Sequence, residues 1–196
     1  MSHNFGKRLD LKRIGEAMTG QRRRRMLLVL FAIFLIGSIL NAQQKSRPTQ
    51  WDPYRFLVGD WIGEGGGDPG KGSGSFSFAF DLQQTVLVRK NHADYPATND
   101  RAAYSHDDLM IVYFERDSSR AIYFDNEGHI IHYSVESGPG SDSIIFVSDL
   151  NPVAPRYRLT YVKVSEDSLK LAFEIAPPGN PAAFTRYIEA TAHRKP

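Results

Sequence analysis

Phe56-Leu57-Val58-Gly59-Asp60-Trp61-Ile62-Gly63-Glu64-Gly65 places one large aromatic between glycines at the start of an extended segment. A glycine inside a strand marks a bulge, a sharp bend or a close approach of another backbone. Gly59 and Gly63 therefore bracket a place where a sheet can turn, with Trp61 between them. Trp61 carries a large apolar surface, so it is expected to plug one end of a core with its indole N–H bonded to a nearby carbonyl. The interior of a closed sheet needs such a stopper, because its ends are otherwise open to water. A cation on the indole face would add to it, and Arg186 on the last expected strand is the candidate.

Downstream the pattern is extended throughout. Ser75-Phe76-Ser77-Phe78-Ala79-Phe80 alternates with a strict period of two, and Thr85 to Lys90 follows as its hairpin partner. Further strands are expected at Leu109 to Glu115, Ala121 to Phe124, His129 to Val135, Ser143 to Val147, Tyr157 to Val164, Leu169 to Ile175 and Phe184 to Ala192. Turn signals separate them at Asp125-Asn126-Glu127-Gly128, Gly138-Pro139-Gly140 and Ser165-Glu166-Asp167. No segment has a convincing amphipathic-helix pattern. Many short strands at this spacing make an up-and-down barrel or a sandwich, and the short sequential hairpins favour the barrel. The expectation is all-β: one antiparallel up-and-down barrel of about 8–10 strands over residues 51–196. Trp51-Asp52-Pro53-Tyr54-Arg55 reads as one helical turn capping the barrel mouth.

The glycine-rich stretch after Trp61 contains two decoys. Gly65-x-Gly67-x-x-Gly70 fits a dinucleotide fingerprint, and Gly65 to Lys71 fits most of a P-loop. Both motifs need a helix next, whose first amides bind phosphate. The phenylalanine strand follows instead, and the P-loop hydroxyl position is Gly72. The stretch is better read as a hairpin connection at the barrel rim.

Charge is divided unevenly. Residues 1–50 carry a net +8 and residues 51–196 a net −6, so the basic character belongs to the first segment and gives the folded domain no case for nucleic-acid binding. Arg22-Arg23-Arg24-Arg25 leads into the apolar run Met26 to Leu40, followed by Asn41-Ala42-Gln43. That order reads as a signal peptide over residues 1–42, cut after Ala42, or as an uncleaved membrane anchor with the arginines cytoplasmic. Either form predicts an exported barrel, periplasmic, secreted or membrane-tethered, behind a polar linker at 43–50. Met1, Met18 and Met26 are alternative starts. There is no cysteine, which excludes disulfides, a thiolate nucleophile and a Cys-based zinc site. The fold must rest on its apolar core.

Gly59-x-Trp61 resembles the opening signature of the calycin barrels, the lipocalins, fatty-acid-binding proteins and their relatives. Gly59-x-Trp61-x-Gly63-x-Gly65 looks like the start of the nitrobindins, small haem-binding barrels, and Tyr187-Ile188-Glu189-Ala190-Thr191-Ala192-His193-Arg194 is similar to their last strand. The resemblance implies a calycin-like fold. The family's haem-ligating histidine falls on Tyr187, and its Tyr-Pro-Thr-Ile segment is replaced here by Gly67-Asp68-Pro69-Gly70-Lys71-Gly72. These departures make the resemblance support the fold more than the cofactor, although tyrosine can ligate ferric haem.

No G-x-S-x-G or H-E-x-x-H motif is present, and the expectation is a binding protein with no catalytic or metal site. His129 and His132 stand three apart on an expected strand, so they face opposite sides. Candidates to line a ligand cavity are Arg89, His92, Tyr113, His129, His132, Tyr133 and Tyr187, with Gly59, Trp61, Gly63 and Arg186 forming the plug. Asp94-Tyr95-Pro96 and Tyr104-Ser105-His106-Asp107-Asp108 read as rim loops carrying polar recognition groups. Three functions fit: an exported barrel for a small, mainly apolar ligand, a haem protein, or a filled, ligand-free interaction module of the envelope.

Overall fold

The computed structural model describes residues 49–67 and 69–196; the leader 1–42 and most of the linker 43–50 lie outside the described residues. A short 3-10 helix (Asp52–Leu57) precedes ten strands: β1 (Gly59–Gly67), β2 (Gly72–Asp81), β3 (Val86–Tyr95), β4 (Tyr104–Glu115), β5 (Ser118–Asp125), β6 (Ile130–Ser137), β7 (Ser143–Ser148), β8 (Arg156–Ser165), β9 (Ser168–Ala176) and β10 (Thr185–Arg194). Each strand pairs antiparallel with the next in sequence, and β10 returns to β1, from Trp61 opposite Arg194 to Gly67 opposite Ile188, so the sheet is a closed barrel. Closure leaves no free edge. Among the described residues no helix is long and apolar enough to cross a membrane.

The period of two sorts the side chains. Phe76 and Phe78 on β2, Met110 and Val112 on β4, Ile144 and Phe146 on β7, and Tyr161 on β8 point inward and are buried. Their outward neighbours are the serines, charges and β-branched residues between them. At one end the 3-10 helix closes the barrel: the Trp51 ring meets Phe80 edge-on at 5.3 Å and Phe114 at 4.6 Å, and the Tyr54 hydroxyl bonds Ser119. The expected helical turn is present, and it stoppers the end opposite the open mouth.

Trp61 is fully buried beside this plug, its indole N–H donating to the Leu57 carbonyl at 2.8 Å. The cation over its ring is Arg194, 4.4 Å from the centroid, and not Arg186. Register is the reason. Trp61 pairs with Arg194, and Arg186 lies eight residues away, about 26 Å along an extended strand. Arg186 instead pairs outside with Glu174 and Glu189, next to a bulge between Arg186 and Ile188. Arg194 also donates to the Val58 carbonyl at 2.8 Å. It passes over Gly59, whose φ of +126° and missing side chain leave it room. At Gly65 the approach is closer: an added methyl would meet Ala190 Cβ at 2.5 Å and the Glu189 carbonyl nearer still.

Two expectations are corrected. Asp94-Tyr95 and Tyr104 to Asp108 are not rim loops but the ends of β3 and β4, paired from Tyr95 opposite Tyr104 to Asn91 opposite Asp108. Backbone pairing there continues after the apolar alternation has given way to polar residues. His129 precedes β6 rather than opening it, in the turn that leaves Asp125.

Candidate functional site

The interior is filled from the plug to about mid-height and open above it. The remaining cavity is about 340 Å³, walled by Phe76, Tyr133, Leu159, Leu171 and Phe173. Its floor is charged. Arg89 on β3 and Asp108 on β4 project inward one level apart, and Arg89 Nη1 donates to Asp108 Oδ1, with side chains only 6% and 3% exposed. Asn91 Nδ2 donates to the other carboxylate oxygen at 2.9 Å. Burial opposes the guanidinium charge most strongly, but the Asp108 carboxylate together with the neighbouring Tyr161 and Tyr123 holds the Arg89 pKa above its ordinary value. The floor is therefore a neutral pair, desolvated and directional.

Two polar atoms there lack partners. Among the described residues, Arg89 Nε and the Tyr161 hydroxyl are the buried side-chain polar atoms with no hydrogen bond. Burial pushes the Tyr161 hydroxyl up to about 12, against the pull of nearby Arg89. An unmade hydrogen bond on a buried group costs about 1–3 kcal/mol.

The mouth is polar. Tyr95 and Tyr104 stack at 4.8 Å, and Arg101 lies 4.7 Å over the Tyr104 ring while donating to the Pro69 carbonyl, which ties the β3–β4 connection to the β1–β2 connection. Below them His106 contacts Glu127 Oε1 through Nδ1 at 3.0 Å, and Tyr123 Oη at 3.0 Å and Asp108 Oδ2 at 3.5 Å through Nε2. Asp108 and, secondarily, Glu127 raise the His106 pKa to about 9 against its partial burial. Asp125 holds His129 Nδ1 at 2.8 Å and accepts the backbone N–H groups of Glu127 and His129. Burial pushes the Asp125 carboxyl up, but these bonds outweigh it and its pKa stays below the usual range.

Of the residues singled out in the sequence, Arg89, His129, Tyr133 and Tyr187 line this cavity, as does Gly63. Tyr113 alternates with inward Val112 and Phe114 and lies on the outer face within reach of Arg120. His132 is exposed, on the other face of β6 from Tyr133, and His92 is bonded outside to Asp107 and Asp94. His106 and Asp108, expected on a rim loop as polar recognition groups, line the cavity from β4 instead, whereas the sequence reading offers no site role for Asn91, Tyr123, Asp125 or Glu127. The signal for Asp108 was the alternation Tyr104, His106, Asp108, Met110, Val112, which runs unbroken into the core.

Fold and site together define a ten-stranded barrel, stoppered at one end, with a cavity reached from the other. No protein-family model and no curated protein matches the chain. Among solved structures, the Rv2717c protein of M. tuberculosis superposes with a TM-score of 0.50 at 16% identity, over 74% of this chain and 97% of that one. A de novo designed fluorescence-activating β-barrel aligns over 74% of this chain and 98% of its own, at 12% identity and a TM-score of 0.39. At these identities the likeness concerns the fold alone.

Proposed function

We propose that the barrel binds one small, mainly apolar molecule carrying a hydrogen-bond acceptor at its buried end. The observation that carries this reading is an open cavity with apolar walls whose floor carries the buried Arg89–Asp108 pair. An acceptor placed there meets the Arg89 guanidinium, while the body of the ligand covers Phe76, Leu159, Leu171 and Phe173. A volume of about 340 Å³ lies at the small end of the range of about 300–1,000 Å³ for ligand pockets. The reading is of binding, not turnover. A ligand-free module would have its interior filled with side chains, which the cavity argues against. We further propose export, on the strength of the arginine-led apolar run at 22–40.

The haem reading is the weaker fit. Tyr187 does line the cavity, edge-on to Phe173 at 6.2 Å, but among the described residues nothing donates to its hydroxyl to hold a phenolate. Native mass spectrometry on protein purified from its own host tests the main proposal. A co-purified mass of a few hundred daltons is expected. Failure to retain any mass, together with failure of anilinonaphthalene sulfonate to bind one-to-one in the folded protein, would refute it. A haem titration with a Soret shift would replace it with the haem reading.

A further inference from the structure

We propose that His106, Asp125 and Glu127 form a binding site for one divalent transition cation of the zinc class at the cavity mouth. Each offers one ligand atom, and these atoms lie within 4.8 Å of one another. Ligand atoms about 2.0–2.2 Å from a shared cation stand about 3.0–3.5 Å apart at octahedral to tetrahedral angles. His106 Nδ1 and Glu127 Oε1 are already 3.0 Å apart. Asp125 supplies the third ligand atom within the same span.

The surroundings hold this set as outer-shell groups hold metal ligands. A ligating histidine usually gives its other ring N–H to a carboxylate or an equivalent acceptor, which fixes its tautomer. Here Nε2 faces the Tyr123 hydroxyl at 3.0 Å and Asp108 Oδ2 at 3.5 Å. With the Nε2 proton donated to Tyr123, the Tyr123 hydroxyl donates onward to Asp125 Oδ2 at 3.3 Å. That leaves Nδ1 as the electron-pair donor, aimed at Glu127. Without a cation, a proton must sit between Nδ1 and the Glu127 carboxylate; the cation takes its place. Asp125 is in turn fixed by two backbone N–H groups and by His129.

One imidazole and two carboxylates suit zinc, iron or manganese, and the two negative charges balance the cation. Three protein ligands leave at least one coordination position open. Because all three residues line the cavity, that position faces its interior. The cation binds whether or not the cavity is occupied, so its failure and the failure of the ligand proposal are separate results.

The test is titration of the full chain, stripped of metal, with zinc in competition with a chromophoric chelator, and with cobalt to read the coordination number from its visible bands. One equivalent with micromolar or tighter affinity is expected. His106→Gln and Glu127→Gln should each weaken binding at least tenfold, and His129→Ala about tenfold as an outer-shell partner. His92→Gln, in the exposed cluster with Asp94 and Asp107, should leave it unchanged. Glu127 is exposed, so its variant keeps the test open if His106→Gln misfolds. No binding at millimolar zinc, binding that follows His92, or binding indifferent to Glu127→Gln would each overturn the proposal.

Discussion

The Arg89–Asp108 pair offers a way to separate what holds the barrel together from what it binds. Breaking a buried ion pair by removing one partner costs about 3–5 kcal/mol, because the other charge stays buried without its counter-ion. Asp108→Leu should reach that range, since the remaining guanidinium would keep only the Phe76 ring at 5.7 Å. Arg89→Met should fall toward its lower end: the carboxylate keeps Asn91 at 2.9 Å and the His106 imidazole at 3.5 Å. The double variant Arg89→Met/Asp108→Leu removes both charges and fills the space with apolar groups of similar length. Its stability should return to within about 1 kcal/mol of the parent, since apolar replacement of a whole buried pair is often neutral or stabilising. Urea melts of all four proteins, followed by far-UV circular dichroism, give the cycle. The coupling should exceed about 2 kcal/mol. The anilinonaphthalene probe should bind weakly to the double variant, which keeps the fold but has lost the donor at the floor. Single losses below about 1 kcal/mol would mean that the charges are solvated and the reasoning about a desolvated floor is wrong. Full probe affinity in a folded double variant would refute the role of Arg89 in recognition.

Trp61→Ala should cost about 3–5 kcal/mol, the range for large-to-small core changes, with the orphaned Leu57 carbonyl pushing toward the upper end; a loss below about 1 kcal/mol in denaturant melts would show that it stoppers nothing. Arg194→Met should cost about 1–2 kcal/mol, through the lost bond to Val58 and the lost indole contact, whereas Arg186→Met should stay within about 0.5 kcal/mol; equal losses would contradict the register. Alkaline titration should destabilise the barrel. Tyr161 is raised to about 12 in the folded state, so its contribution is fully present below the ordinary value of 10.0 and is lost as pH climbs from there to about 12. That loss is about 2–3 kcal/mol. Tyr123 and Tyr133 are raised in the same direction, chiefly by burial. Tyrosinate absorbance should accordingly show a late group that ionises only as circular dichroism reports unfolding; early ionisation of all nine tyrosines in folded protein would refute it.

An antiparallel barrel of about 8–10 strands was legible because most of each strand alternates apolar and polar side chains, as Phe76, Phe78 and Phe80 do on β2. The plug was legible in Trp61 for a related reason: a large aromatic between glycines has few places to go in a small barrel. What the pattern hid lies where the strands pass the cavity. From Asn91 to Tyr95 and from Tyr104 to Asp108 the inward positions are amide, tyrosine, imidazole and carboxylate, and a polar run reads as loop although its backbone remains in the ladder. Closure was hidden as well. Whether Arg186 or Arg194 reaches the indole depends on the register between the first and last strands, and a bulge in β10 shifts the outward and inward positions on one side of it. No local periodicity carries that information.

Two adjacent strands therefore hold most of the polar chemistry. Reading inward positions from plug to mouth, β3 offers Leu87, Arg89, Asn91, Ala93 and Tyr95, and β4 offers Val112, Met110, Asp108, His106 and Tyr104. Each strand grades from hydrocarbon to hydrogen-bonding groups over about 26 Å of extended chain. Asp108 stands at the change of character. It accepts from Arg89 and Asn91 at the floor and faces His106 at the mouth, so one carboxylate orients both the ligand donor and the imidazole of the cation site. Such a residue cannot be optimised for one neighbour without moving the other. That shared constraint explains why a charged pair sits buried at the floor: it lies where the mouth network needs its carboxylate.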